Sequence, residues 1–161
     1  MEKYKPINRR RMERVLPHIW DVTDLCDIIE RHGNKTLFRY YEGKDIQSMT
    51  YATFGTQVRE AAAAFTAMGL CGEKIAVIGE TSPQWVCTYL GALAAGCVIV
   101  PMDKELDTEE IRRFIAMVDA RAIVYSKSFN EKFIKSISDG DTGIRFFIPI
   151  TPAYDSSFDN K

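Results

Sequence analysis

Few residues in this chain of 161 have a type and spacing that could do chemistry. Gly79-Glu80-Thr81-Ser82 lies where an apolar run, Lys74 to Ile78, hands over to a helical segment that opens at Pro83. A turn of that kind can bind an anion, because the first N–H groups of a helix have no partner inside it. Glu80 would oppose a phosphate there. Ser82 and Pro83 also suit a plain helix start, one as a hydroxyl cap and the other as a first residue with no N–H to orphan. The spacing favours the cap. Asp103 follows a second apolar run at the edge where open α/β sheets place ligands. A loop carboxylate that bonds nearby backbone is the favoured reading of it. Glu109-Glu110 fits a helix N-terminus, where negative charge is favoured. His18 and His32 have no Ser, Cys or Asp partner in a triad-like spacing, and the four cysteines (26, 71, 87 and 97) form no Cys-x-x-Cys. Neither Gly-x-Gly-x-x-Gly nor Gly-x-x-x-x-Gly-Lys-Ser/Thr occurs. On the residues alone, no catalytic, cofactor-binding or metal-binding residue is assigned.

Apolar residues make up 46% and charged residues 27%, a globular balance with enough length for a buried core. A net charge of −1 gives no whole-chain steering toward nucleic acid. Residues 1–19 concentrate Lys3, Lys5, Arg9, Arg10, Arg11 and Arg14. They read as a basic N-terminal extension, either a solvated arm or a weak peripheral contact with acidic lipid. Cys87 and Cys97 sit in apolar runs and behave as small hydrophobes. Four free thiols in a reducing cytoplasm is the simplest account. The stretch from Trp85 to Pro101 is short for a membrane span, and Gly91 and Gly96 interrupt it. No apolar leader segment is found at the N-terminus.

The elements that must position these residues follow from periodicity. Thr23 to His32 predicts a short amphipathic helix stopped by Gly33. Lys35 to Tyr41 and Asp45 to Thr50 predict a β-hairpin around Glu42-Gly43-Lys44. Thr50 caps a helix whose apolar stripe is Phe54, Val58, Ala61, Phe65 and Met68, and Gly69 ends it. Lys74 to Ile78 is a strand. The helix capped by Ser82 runs to about Ala95. Cys97 to Val100 shows no alternation, which predicts a central parallel strand covered on both faces. Asp107-x-x-Glu110 predicts a capping box. Strands at Ala122 to Tyr125 and Ile144 to Ile148 flank a weaker helix from Phe129 to Ile137. The alternation predicts an α/β fold: an open, mostly parallel, doubly wound sheet with helices on both faces, plus the N-terminal helix and hairpin. The domain spans 20–150, and 151–161 reads as a polar tail.

Three segments carry a family resemblance. Met49-Thr50-Tyr51 with Thr53 and Phe54 is similar to a Leu/Ile-Thr-Tyr-x-Glu-Leu motif, with Thr53 and Phe54 replacing the usual Glu and Leu. Gly72-Glu73-Lys74-Ile75-Ala76-Val77 resembles Gly-Asp-Arg-Val-Ala. Leu93-Ala94-Ala95-Gly96 through Val100-Pro101-Met102-Asp103 resembles Leu-Lys-Ala-Gly-x-x-x-Val-Pro-Leu-Asp. In this order they resemble the start of the AMP-forming acyl-CoA synthetases, and Glu80-Thr81-Ser82-Pro83-Gln84-Trp85 is most similar to the long-chain fatty acid–CoA ligase branch.

The resemblance implies ATP-driven acyl adenylation followed by thioester formation, with ATP, Mg²⁺ and coenzyme A as cofactors of a full-length parent. It also implies that the phosphate loop and the catalytic lysine lie past Lys161, so the expectation is an N-terminal subdomain that is inactive alone. Its partners would be the remainder of the synthetase and, through a face left uncovered, other copies of itself. The alternative is a free-standing α/β binding or interaction module without catalysis, since fold does not fix function.

Overall fold

Four short apolar runs become one parallel sheet. The computed structural model describes residues 19–129, 131–140 and 142–150. In chain order the elements are α1 (Val22–Glu30), β1 (Thr36–Glu42), β2 (Asp45–Thr50), α2 (Tyr51–Ala67), β3 (Lys74–Ile78), α3 (Pro83–Ala94), β4 (Val98–Met102), α4 (Thr108–Val118), β5 (Ala122–Tyr125), α5 (Glu131–Ser138) and β6 (Phe146–Pro149). β3 to β6 form a four-stranded sheet in the order β4-β3-β5-β6, every pair parallel. The basic extension falls outside the described residues as far as residue 18, and so does the tail.

Alternate residues of the central strands supply two cores. Ile75, Val77, Ala122 and Val124 pack with Phe65 of α2 and Ala92 of α3. Ala76, Ile78 and Ile123 pack with Ile111 and Ile115 of α4 and Ile137 of α5. Helices therefore cover both faces, as the alternation predicts. A third cluster of Cys26, Met49, Phe54, Val58 and Cys87 seats α1 and the hairpin on α2 and α3. Local signals set the helix starts. Asp21, Thr50 and Ser82 accept first-turn N–H groups, and Asp107 with Glu110 closes the capping box. No described helix is long and apolar enough to cross a membrane.

One expectation is corrected. The strand after Gly96 is not central. β4 lies at the sheet's edge, Val98 is half exposed and Pro101 is exposed. The Val98 N–H donates to the Glu73 carbonyl at 2.9 Å, so Val98, Val100 and Met102 turn their backbone groups toward β3. Pro101, which has no N–H to offer, falls on the open side. A proline inside a strand is tolerated at an edge and not in a sheet interior. Pro101 itself therefore marked this strand as an edge, and the run of β-branched residues outweighed it.

The weaker helix begins at Glu131 rather than Phe129, and the last strand begins at Phe146 rather than Ile144. The ring of Phe129 stacks at a tilt on that of Phe133, 4.6 Å between centroids, so Phe129 packs against the helix without joining it.

Candidate functional site

The strand order creates one crevice. β3 leads through α3 to β4 on one side, and α4 brings the chain back to β5 on the other. The loops leaving β3 and β5 therefore diverge at the carboxyl edge, which is where open α/β sheets have room for a ligand. Gly79-Glu80 leaves β3 and Ser126-Lys127-Ser128 leaves β5. The hairpin supplies a third wall through Tyr40, Tyr41 and Glu42, and the cavity between them measures about 220 Å³.

The floor of this crevice is a hydrogen-bonded clamp. The Ser126 and Ser128 hydroxyls both donate to Glu80 Oε2, at 2.5 and 3.0 Å, and lie 2.7 Å from each other. The Ser126 N–H donates to the Ile78 carbonyl at 3.1 Å, so the clamp continues the β3–β5 ladder. Gly79 makes the approach possible: a Cβ there would stand 2.6 Å from Ser126 Cβ. Above the floor, the buried Gln84 donates from Nε2 to Tyr40 Oη at 3.3 Å and ties the hairpin to the first turn of α3.

The electrostatics follow from the clamp. The Ser126 hydroxyl first, then backbone N–H bonding, hold the Glu80 carboxyl below its ordinary value against the opposing effect of desolvation, with smaller help from the Ser128 hydroxyl and the nearby Lys104. A carboxylate depressed in the folded state adds stability that is present above the unfolded value and is lost as pH falls through the folded value. Replacing both Ser126 and Ser128 with Ala is expected to return Glu80 upward toward the ordinary glutamate range. The chain's acid sensitivity should shrink accordingly. A carboxyl-carbon NMR titration reads this directly, and an unmoved Glu80 titration in the double variant would contradict the clamp.

Such a site can accept hydrogen bonds or face a cation. It does not fit a phosphate. An ionised carboxylate stands at the mouth of α3, and the cap has already taken the Trp85 N–H, donated to Ser82 Oγ at 3.1 Å. Among the described residues, no group of three or more His, Cys, Asp or Glu gathers to hold a metal. No step through ATP or Mg²⁺ is therefore derived from these residues.

Ser82 is a cap. Asp103 follows β4, one strand away from the crevice, and its Oδ1 accepts the Glu105 N–H at 3.0 Å as a loop carboxylate does. Glu110 completes the capping box of α4. The His32 ring lies 4.8 Å from that of Tyr51, and His18 is outside the described residues. Trp85 and Tyr89 stack on each other at 5.2 Å beside the first core. All four cysteines are free; Cys26, Cys87 and Cys97 are buried, Cys71 is exposed, and burial pushes the Cys87 thiol up to about 12. Ser126 and Ser128 carried no signal of their own. They become visible only once β5 is known to neighbour β3.

The family model described as AMP-binding enzyme matches residues 27–148. Among curated proteins, a crotonobetaine/carnitine–CoA ligase of Citrobacter koseri is 27% identical over 130 residues, covering 79% of this chain and 24% of that protein. The long-chain-fatty-acid–CoA ligase FadD13 of Mycobacterium tuberculosis is 26% identical over 87 residues, covering 53% of this chain and 17% of that protein. Among solved structures, the inhibitor-bound N-terminal domain of FACL13 from Mycobacterium tuberculosis superposes with a TM-score of 0.71 at 20% identity, over 81% of this chain and 33% of that one. The chain thus spans a quarter or less of the curated relatives it matches.

Proposed function

The chain belongs to the AMP-binding enzyme family, and we propose that it forms the N-terminal part of an AMP-forming acyl-CoA ligase whose substrate is a fatty acid. The observation that carries this reading is the family match across 27–148, nearly the whole of the parallel sheet, the hairpin and the helices that cover them. The likeness to fatty acyl ligases among the relatives supports the substrate class. The whole ligase would use ATP, Mg²⁺ and coenzyme A. When bound, ATP supplies the adenylate that activates the acyl carboxylate.

This chain's own residues contribute a scaffold in that reading. Its sheet and its Glu80–Ser126–Ser128 clamp fix the carboxyl edge. Adenylation needs preorganised charge around the phosphates, and Glu80 offers the opposite sign. The isolated chain is therefore expected not to release pyrophosphate from ATP in the presence of fatty acids. An acyl-dependent release assay on the purified chain decides it. Release above background that a substitution within the chain abolishes would overturn the scaffold reading.

A further inference from the structure

We propose that the outer strand of the hairpin, β2, is a self-association edge, and that two copies of this chain pair β2 to β2, antiparallel across a two-fold axis, into a four-stranded sheet. Each edge strand of the large sheet carries a proline. At the β4 edge the outward positions are Cys97, Ile99 and Pro101: the Cys97 N–H is already given to the Ala92 carbonyl at 2.9 Å and Pro101 has none, so Ile99 alone keeps an outward donor. At the opposite edge, the Ile150 N–H donates to Tyr125. By alternation, Pro149 of β6 then faces outward. Both edges of the large sheet are therefore blunted against strand addition.

The hairpin has no such protection. Neither β1 nor β2 contains Pro or Gly. The ladder closes at Glu42 and Asp45 around Gly43-Lys44, with Gly43 at φ +63° as a type II′ turn requires. Alternation from that closing pair turns the N–H and C=O groups of Ile46 and Ser48 outward on β2, and neither residue has another backbone partner among the described residues. β1 faces the crevice, so β2 is the outer strand, exposed from Asp45 through Ser48. Tyr41 and Ile46 stand directly opposite one another with 76% and 66% exposure. This is an apolar cross-strand pair facing solvent on a sheet of only two strands, a sheet size that is marginal alone.

A second copy fits this edge. A two-fold axis at Gln47 sets Ile46 opposite Ser48 of the second copy, twice, so each copy's two outward residues exchange N–H···O=C bonds. Asp45 falls opposite Met49 and Gln47 opposite Gln47, so no like charges meet. The resulting sheet has four strands, and on its outer face Tyr41 and Ile46 of each copy line up with Ser48 and Arg39 of the other.

Sedimentation velocity on the full chain, across the micromolar range, tests this. The expected result is a reversible dimer of the 18.3 kDa chain. Ser48→Pro removes only an outward donor, and Ile46→Lys sets like charges of the two copies on a diagonal across the new pair of strands. Each should yield a monomer with unchanged far-ultraviolet circular dichroism, while Val98→Lys on the β4 edge should leave the dimer intact. If Ser48→Pro does not fold, Ile46→Lys decides alone. A wild-type chain that stays monomeric throughout, a dimer that survives Ile46→Lys, or one lost in Val98→Lys would each overturn the proposal.

Discussion

Gly91→Ala is expected to cost on the order of 3 kcal/mol of stability, a large part of what a domain of this size has to lose. The residue sits on α3 where that helix presses against α2. A Cβ built there would meet Ala61 Cβ at 2.4 Å, the Val58 carbonyl oxygen at 2.9 Å and the Ala62 nitrogen at 3.1 Å. Two of these three neighbours are backbone, so no rotamer change relieves them. Alanine's better helix propensity, worth about 1 kcal/mol, works the other way and is outweighed. Urea unfolding measures the loss. Ala61→Gly in the same chain should restore part of it by removing the shortest contact, but not all, because Val58 remains. A wild-type midpoint for Gly91→Ala would show that the two helices can separate freely.

Gly79→Ala should be nearly as damaging, for a different reason. Its φ of +146° belongs to a region that side chains rarely enter, and a Cβ would stand 2.6 Å from Ser126 Cβ and 3.0 Å from the Ser126 nitrogen. Backbone strain of about 1–3 kcal/mol adds to the clash. Ser126 cannot retreat without giving up its N–H bond to Ile78 and its hydroxyl bond to Glu80. The variant should therefore lose about 2–4 kcal/mol in urea unfolding, and its Glu80 should titrate closer to an ordinary glutamate. Loss of stability with an unchanged Glu80 titration would place the damage elsewhere than the clamp.

The two variants mark different depths of legibility. Gly91 reads in the sequence only as an interruption of an apolar stretch. That it is a contact point between two helices depends on α2 and α3 lying side by side. Gly79 reads as the start of a strand-to-helix turn, and the turn is there. What it must avoid, Ser126, is 47 positions away. The proline at 101 is the opposite case. Its meaning is local, because a missing N–H must face away from the neighbouring strand. The edge position of β4 was therefore available from sequence, although an unbroken apolar run suggested a covered strand.

Local spacing was enough to set the kinds of element and most of their starts. Strand and helix periods, the hydroxyl and carboxylate caps, and the hairpin turn around Gly43 each rest on atoms within about four residues of one another, although the structure tightens that turn to Gly43-Lys44 by carrying β1 on to Glu42. Those interactions persist whatever the rest of the chain does. Long-range packing set β5 beside β3 and not beyond β4. That order depends on which way each crossover turns and on how the two faces share their burial, and no local spacing encodes either. The crevice, the Glu80 clamp and the open edge of β2 all follow from it, because each joins or exposes groups that only the packing of distant segments brings into relation.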